Sequence, residues 1–195
     1  MARRDWPFCG DGNLAIEHEV KLAFDSVEAA RLAVTAAGGR LDVSRRLLDD
    51  RLFDTVDQHL GRGGAALRVR RDGERAILTF KGPVQGGPVK SRPEIETDVG
   101  DAAVAEALLA SLGFRRWFRG EKYREEYLVG QARVTVDEAP IGVFVEIEAP
   151  PDVIDDVASR LGRGPSDYRL ESYPALQAAW CRTRGRGLED MVFDR

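Results

Sequence analysis

Cysteine, histidine and long apolar runs are almost missing from this 195-residue chain. The two cysteines, Cys9 and Cys181, lie far apart, so neither a zinc-ligand spacing nor a disulfide framework is available. The two histidines, His18 and His59, exclude a histidine-rich metal site. Any metal would be held mainly by carboxylates, which favours Mg²⁺, Mn²⁺ or Ca²⁺ over zinc or copper. No stretch approaches the ~18 apolar residues that cross a bilayer as a helix. The leader MARRDWPFCGDG lacks the apolar run of a signal peptide. A cytoplasmic protein without a membrane partner is expected. The net charge is only −4, from 29 basic and 33 acidic residues, so bulk electrostatics give no reason to expect nucleic acid as a partner. There is no internal repeat and no low-complexity linker. One domain over 14–184 is expected, between a leader (1–13) and a tail (185–195).

What is present is charge at a period of two. Apolar residues make up 43% of the chain and charged residues 32%, enough for a core with much charge left to place. The stretch LAIEHEVKLAF puts Glu17, Glu19 and Lys21 on one face of a strand and Ile16, Val20 and Leu22 among its other residues. The pattern recurs. ALRVRRDGERAILTFKGP reads as a hairpin around Asp72-Gly73, with Arg68 and Arg70 on one arm and Lys81 on the other. VKSRPEIETDV offers Lys90, Arg92, Glu94 and Glu96, with Pro93 arguing for an edge or bulge position. Three further strands offer Lys122 and Arg124, then Arg133 and Asp137, then Glu146 and Glu148. Helices are expected after Ser26, after Asp101, in PDVIDDVASRLG and in SYPALQAAWCRTRG. Mostly antiparallel strands with helices between and after them give an α+β fold, with closure of the sheet into a β-barrel as one form of it.

Side chains at i and i+2 share one side of a sheet. One such strand alone is most often a solvated face, with cross-strand ion pairs worth only a few tenths of a kcal/mol. Repetition over strand after strand, with few Ser, Thr, Gln or Asn among the charges, weighs against that reading. If the sheet closes, the charges line a lumen, and Val20, Leu67, Val69, Leu78, Phe80, Val145 and Ile147 form an outer surface for helices. A triphosphate, with about four negative charges, needs several fixed cations around it, and arginine forks suit phosphate oxygens. Clustered acids beside those cations make sense if they hold a divalent metal.

Together the stretches IEHEVK, LFDT, ALRVRR, LTFKGP, KSRPEIE, KYREEY, VTVDEAPIGVFVEIE and ESY resemble the CYTH group of triphosphate tunnel metalloenzymes, from about Ile16 to Tyr173. That group includes class IV adenylyl cyclases and thiamine triphosphatases. The resemblance implies an antiparallel eight-stranded tunnel, Mg²⁺ or Mn²⁺, and a triphosphate-bearing substrate such as tripolyphosphate, thiamine triphosphate or ATP. It implies that Glu17, Glu19, Glu94, Glu96, Asp137, Glu146 and Glu148 form the acidic metal-binding group. It casts Lys21, Arg68, Arg70, Lys81, Lys90, Arg92, Lys122 and Arg124 as phosphate contacts, and Lys21 and Glu19 as catalytic. Hydrolysis of the terminal phosphoanhydride is the first expectation. Cyclisation of ATP is the second and a non-catalytic polyphosphate-binding module the third. A monomer or homodimer is expected. Leu52 departs from the family, which often has an aromatic there. SYPALQAAWCRTR is expected either to plug one tunnel mouth or to pack with Leu176 and Trp180 as core. His18 is expected beneath a helix, His59 in a solvated loop, Asp49-Asp50 in a solvated turn, and Cys181 buried as a small apolar residue.

Overall fold

The structure, a computed structural model, describes residues 16–194. Cys9 and the leader lie outside them. The elements run β1 (Ile16–Phe24), α1 (Val27–Ala36), β2 (Arg40–Asp54), α2 (His59–Arg62), β3 (Ala66–Asp72), β4 (Arg75–Lys81), β5 (Lys90–Val99), α3 (Ala102–Ser111), β6 (Arg115–Val129), β7 (Ala132–Ala139), β8 (Gly142–Glu148), α4 (Pro151–Arg160) and α5 (Tyr173–Arg182). The strands close into an eight-stranded barrel in the order β1-β5-β4-β3-β2-β6-β7-β8. Every strand pairing is antiparallel.

The period-two pattern decides which side of each strand faces the lumen. Val20, Leu22, Val134, Val136, Val145 and Ile147 face outward and pack with residues of α1 and α4. Val69 and Phe53 do the same under α3, supported by Leu67 and Leu78. Three helices start on side-chain caps: Ser26 Oγ accepts from Ala29 N–H at 3.1 Å, Asp101 from Val104 N–H at 3.0 Å and Ser172 Oγ from Ala175 N–H at 3.4 Å. Gly73, at φ 61°, makes the tight turn between β3 and β4.

Several expectations need correction. Asp49 and Asp50 are not a turn; they sit inside β2, paired with Arg71 and Arg70 of β3. Asp50 points into the lumen and Asp49 away from it, so the two acids do unrelated jobs. Pro93 is neither at an edge nor at a bulge, since β5 is paired on both sides and Pro93 meets Ile16 at the end of the described β1 ladder. His18 is half-buried and its Nδ1 lies 2.7 Å from Ser91 Oγ, a polar pairing across β1 and β5. His59 opens the short helix α2 and is exposed. In α5 the buried residues are Gln177 and Cys181, while Leu176 and Trp180 are half-buried.

The barrel ladder has two open lengths, and the segment after α4 closes both. β1 pairs with β5 only through Ile16–Glu19, and β6 pairs with β7 only from Tyr123 onward. On β1, Lys21 N–H donates to Arg169 O at 3.1 Å, and Arg169 N–H donates to Lys21 O at 2.9 Å. On β6, Glu121 N–H donates to Met191 O at 2.7 Å, and Met191 N–H donates to Arg119 O at 2.9 Å. Between these stitches runs α5. Buried Met191 packs with Phe118 and Ala139. Gly120 leaves room for this crossing, because a Cβ there would meet the Phe118 ring at 3.0 Å and the Met191 methyl at 3.4 Å.

Candidate functional site: a charged tunnel

The lumen is a cavity of about 1420 Å³. That exceeds the ~300–1,000 Å³ of ordinary small-molecule pockets, so there is room for a ligand larger than three phosphates. Of the residues expected in the site, Glu17, Glu19, Lys21, Arg68, Arg70, Lys81, Lys90, Arg92, Glu94, Glu96, Lys122, Arg124, Glu146 and Glu148 all line it. Asp137 is fully buried in the wall and reached from inside by Lys122 and Arg124.

The strand register sets acids against bases at each level. Glu17 accepts from Lys81 Nζ at 2.8 Å through both oxygens, and Lys81 also lies 2.9 Å from Glu94. Glu19 accepts from Lys21 at 3.1 Å and from Lys90 at 2.5 Å. Lys21, across the β1–β8 ladder from Glu146, lies 3.1 Å from its carboxylate. Arg124 lays its fork on Asp137 at 2.6 and 2.5 Å and also contacts Glu146. Lys122 donates to Asp137 at 2.6 Å. Arg68 reaches Thr79 at 3.0 Å and Glu96 at 3.4 Å. Glu148 makes no hydrogen bond or ion pair among the described residues.

Burial raises the stakes of these pairings. Burial alone would push Glu19 and Glu146 up, but lysine and arginine charges overcome it and hold both well below the usual carboxylate range. Burial would discharge Lys21, but Glu146 and Glu19 keep it cationic. Lys122 goes the other way: burial, reinforced by neighbouring Arg124, pushes it down to about 8. Burial, then the nearby Glu19 charge, raises Glu17; burial, then the Glu17 charge, raises Glu148.

Some groups lack partners. Arg68 Nε, Arg46 Nη1 and the hydroxyl of Thr135, all on lining residues, are buried without a hydrogen-bond acceptor, as are Arg51 Nε and Arg71 Nε away from the lumen, while Arg92 Nε has no hydrogen bond but lies 3.5 Å from Glu17. Buried polar groups are nearly always satisfied in native proteins, so guanidinium N–H groups left open in a lumen mark where anionic oxygens belong.

The structure adds residues that the sequence reading did not place. Asp50 holds the Arg70 fork at 2.6 and 2.8 Å. Arg46 bridges Asp72, at 2.7 Å, and Glu126, which also pairs with Arg133 at 2.7 Å. Tyr173, in the first turn of α5, donates to Asp137 at 2.7 Å, and the Lys122 ammonium lies 4.1 Å from its ring centroid. With Leu170, Ser172 and Pro174 it lines the lumen, so the segment entering α5 covers one mouth. No alternation marks Asp50 or Arg46 in the sequence, because β2 carries charged residues on both faces.

For a divalent cation the donor chemistry fits: Glu17, Glu19 and Glu148 present only carboxylate oxygens on neighbouring positions of β1 and β8, with Glu19 and Glu148 directly opposite. Among the described residues no three acidic, histidine or cysteine side chains already converge as a metal-ligand group. Lys81 holds Glu17, and Lys21 and Lys90 hold Glu19, in ion pairs instead. Among the described residues no helix is long and apolar enough to cross a membrane.

Comparison with known proteins agrees with this geometry. Residues 15–160 match the family model of the CYTH domain. The chain is 28% identical over 171 residues to adenylate cyclase CyaB of Aeromonas hydrophila, covering 82% of this chain and 87% of that protein. The PH1012 protein of Pyrococcus horikoshii has the same fold, with a TM-score of 0.71 and 24% identity over 82% of this chain and 98% of that one. So does a protein from Hippeastrum described as having a dominant triphosphatase activity, with a TM-score of 0.61 and 18% identity over 88% of this chain and 96% of that one.

Proposed function

This chain belongs to the CYTH domain family, and on that premise we propose that it is a divalent-metal-dependent enzyme that hydrolyses the terminal phosphoanhydride of a triphosphate. One observation carries the reading: a closed barrel whose inner wall bears arginines, with the Arg68 Nε–H buried and open and Arg92 held to Glu17 only through a 3.5 Å ion pair, among fixed ammonium groups and carboxylates. A chain of three phosphates is the ligand whose charge and length match such a wall.

Each group then has a part. Arg68, Arg70, Arg92 and Arg124 grip non-bridging oxygens, and Lys81, Lys90 and Lys122 balance the remaining charge. Asp50 holds Arg70 and Asp137 holds Arg124, so the forks are aimed before substrate arrives. Lys21, kept cationic by two carboxylates, sits where charge develops on the transferred phosphoryl group. Glu19 positions Lys21 and Lys90. Glu17, Glu19 and Glu148 would hold a Mg²⁺ or Mn²⁺ ion, which would supply Lewis-acid chemistry to the phosphoryl group. Water attacks the terminal phosphorus, the bond to the bridging oxygen breaks, the diphosphate end leaves with the electron pair, and the water's proton passes to a phosphate oxygen of the products. Tyr173 and the start of α5 keep bulk water from one mouth.

A second reading, cyclisation of ATP to cyclic AMP, draws support from the Aeromonas relative, named an adenylate cyclase, and from the space the cavity leaves beyond three phosphates. One assay separates the two. The protein is incubated with Mg²⁺ or Mn²⁺ and with tripolyphosphate, thiamine triphosphate or ATP, and phosphate, pyrophosphate and cyclic AMP are measured. Phosphate release is expected. Cyclic AMP with stoichiometric pyrophosphate would replace hydrolysis by cyclisation, and binding without any product would replace both by a binding module.

A further inference from the structure

Trp117 lines the cavity and yet stays 44% exposed. Its place comes from an irregularity in the β2–β6 ladder. Leu52 pairs with Phe118, and the next residue, Phe53, pairs with Arg116, so Trp117 is one residue too many on β6. Such an extra residue is a β-bulge, a device that re-aims a side chain. In an unbroken ladder Trp117 would pair with Phe53 and share its side, and Phe53 packs under α3 on the outside of the barrel. Instead the Trp117 and Phe118 ring centroids lie 5.7 Å apart, so the two rings share one side, although successive strand residues normally point to opposite sides. Phe118 is 2% exposed and packs with Ala139 and Met191, which gives Trp117 a rigid backing.

The rim beside Trp117 is apolar. Leu52, Ala65 and Val84 line it. The ladder brings them together: the end of β2 runs beside the start of β3, where Phe53 meets Leu67, and a Cβ at Gly64 would meet Pro83 at 3.7 Å. Charge begins one strand away. Arg68 of β3, with its buried, open Nε–H, pairs with Leu52. Arg68, Leu52 and Phe118 thus form one row across three strands, about 10 Å wide at ~4.8 Å per strand. A phosphate on Arg68 and a flat ring on Trp117 lie within the span of one ligand, a ring joined to its phosphates through a short linker. Bare tripolyphosphate has nothing to lay on an indole.

We propose that Trp117 is the platform for the organic end of the substrate: a planar heteroaromatic ring stacks on the indole while the phosphates that it carries enter the charged wall at Arg68. This rests on the triphosphate reading above and deepens it, because it makes an organic triphosphate, such as a nucleoside triphosphate, the substrate class in preference to bare tripolyphosphate. The bulge in β6 is then a specificity device, turning one aromatic side chain from the outer surface to the mouth of the tunnel.

Calorimetric titration with ADP and with pyrophosphate, in the presence of Mg²⁺, tests this without turnover, since the two probes share a diphosphate and differ by the ring and its linker. Trp117→Ala should lower the preference for ADP over pyrophosphate by about 10-fold or more, with an unchanged circular dichroism spectrum. Trp117→Leu, which keeps apolar bulk without the flat face, should lose as much, and Trp117→Phe should recover most of it. The same order should appear in KM for ATP relative to KM for tripolyphosphate. Equal losses for the two probes would make Trp117 a support of the wall, and an undiminished preference for ADP would put the ring elsewhere; either result overturns the proposal, as does a wild-type chain that does not bind ADP. Failure of the hydrolase reading shows separately, as absence of phosphate release by the wild-type chain, and leaves the comparison of the two probes intact.

Discussion

Tyr173 donates its hydroxyl to Asp137 at 2.7 Å, tying the first turn of α5 to a carboxylate that also holds Arg124 and Lys122. Replacing Tyr173 by Phe removes this tie and keeps the ring beside Lys122. We expect a loss of about 1 kcal/mol of stability, or ~2–4 °C in Tm, and a drop in kcat for tripolyphosphate as the aim of Arg124 loosens. An unchanged melting temperature together with unchanged kcat would show that α5 rests on the mouth without steering the wall.

Arg68 presents an open Nε–H, so the shape of its head group matters as well as its charge. Arg68→Lys keeps the charge and loses the fork. kcat/KM for tripolyphosphate should fall by about 100-fold, with the circular dichroism spectrum retained. A lysine variant with wild-type kinetics would remove Arg68 from the phosphate contacts.

Glu148 makes no hydrogen bond or ion pair among the described residues, so Glu148→Gln should leave the barrel as stable as before. Its effect should appear in the metal titration. Losing even an outer partner of a metal ligand costs ~10–100-fold in affinity, so losing a ligand should raise the Mn²⁺ concentration needed for half-maximal turnover by at least as much. An identical Mn²⁺ dependence would exclude it as a ligand. Chelation of wild-type enzyme should abolish turnover, and added Mg²⁺ or Mn²⁺ should restore it.

Asp50 gives a pH prediction that lies away from the metal carboxylates. Burial works to raise it, but Arg70 and Arg68 prevail and hold it below the usual carboxylate range. A depressed pKa contributes stability that is fully present above the unfolded value of about 3.9 and is lost as pH falls through the lower folded value. Wild-type Tm should therefore decline below about pH 4, and Asp50→Asn should flatten that decline while costing about 3 kcal/mol near neutrality by leaving Arg70 uncompensated. Parallel acid limbs in the two proteins would place the titration elsewhere.

Legibility in the sequence followed contrast between the two sides of a strand. β1, β3 and β8 alternate charged with apolar residues, so Glu17, Glu19, Lys21, Arg68, Arg70, Glu146 and Glu148 could be set on one face before any fold was known. β2 gives no such contrast. Arg46 and Asp50 face the lumen, while Asp49 and Arg51 bind Arg119 and Glu106 on the outside, so both sides are charged and the period disappears. The pairing of the acids with lysines was also hidden, because it depends on which strands become neighbours. Nor did any period reveal Met191, whose place is set by the end of the β7 ladder at Tyr123.

The stitches at Arg169 and Met191 also set the order in which the molecule can be completed. β1, the first strand, finds β8 only after most of the chain is present, and the open edges of β1 and β6 find their partners further downstream still. Until then those edges are bare backbone, available for pairing with another molecule. Contacts this distant in sequence close slowly. During synthesis, at ~5–20 residues per second, the charged interior therefore stays open to water for several seconds after the first strands emerge. Pairs within adjacent hairpins, such as Asp50 with Arg70, can form early, whereas Lys21 meets Glu146 only when β1 and β8 close the barrel.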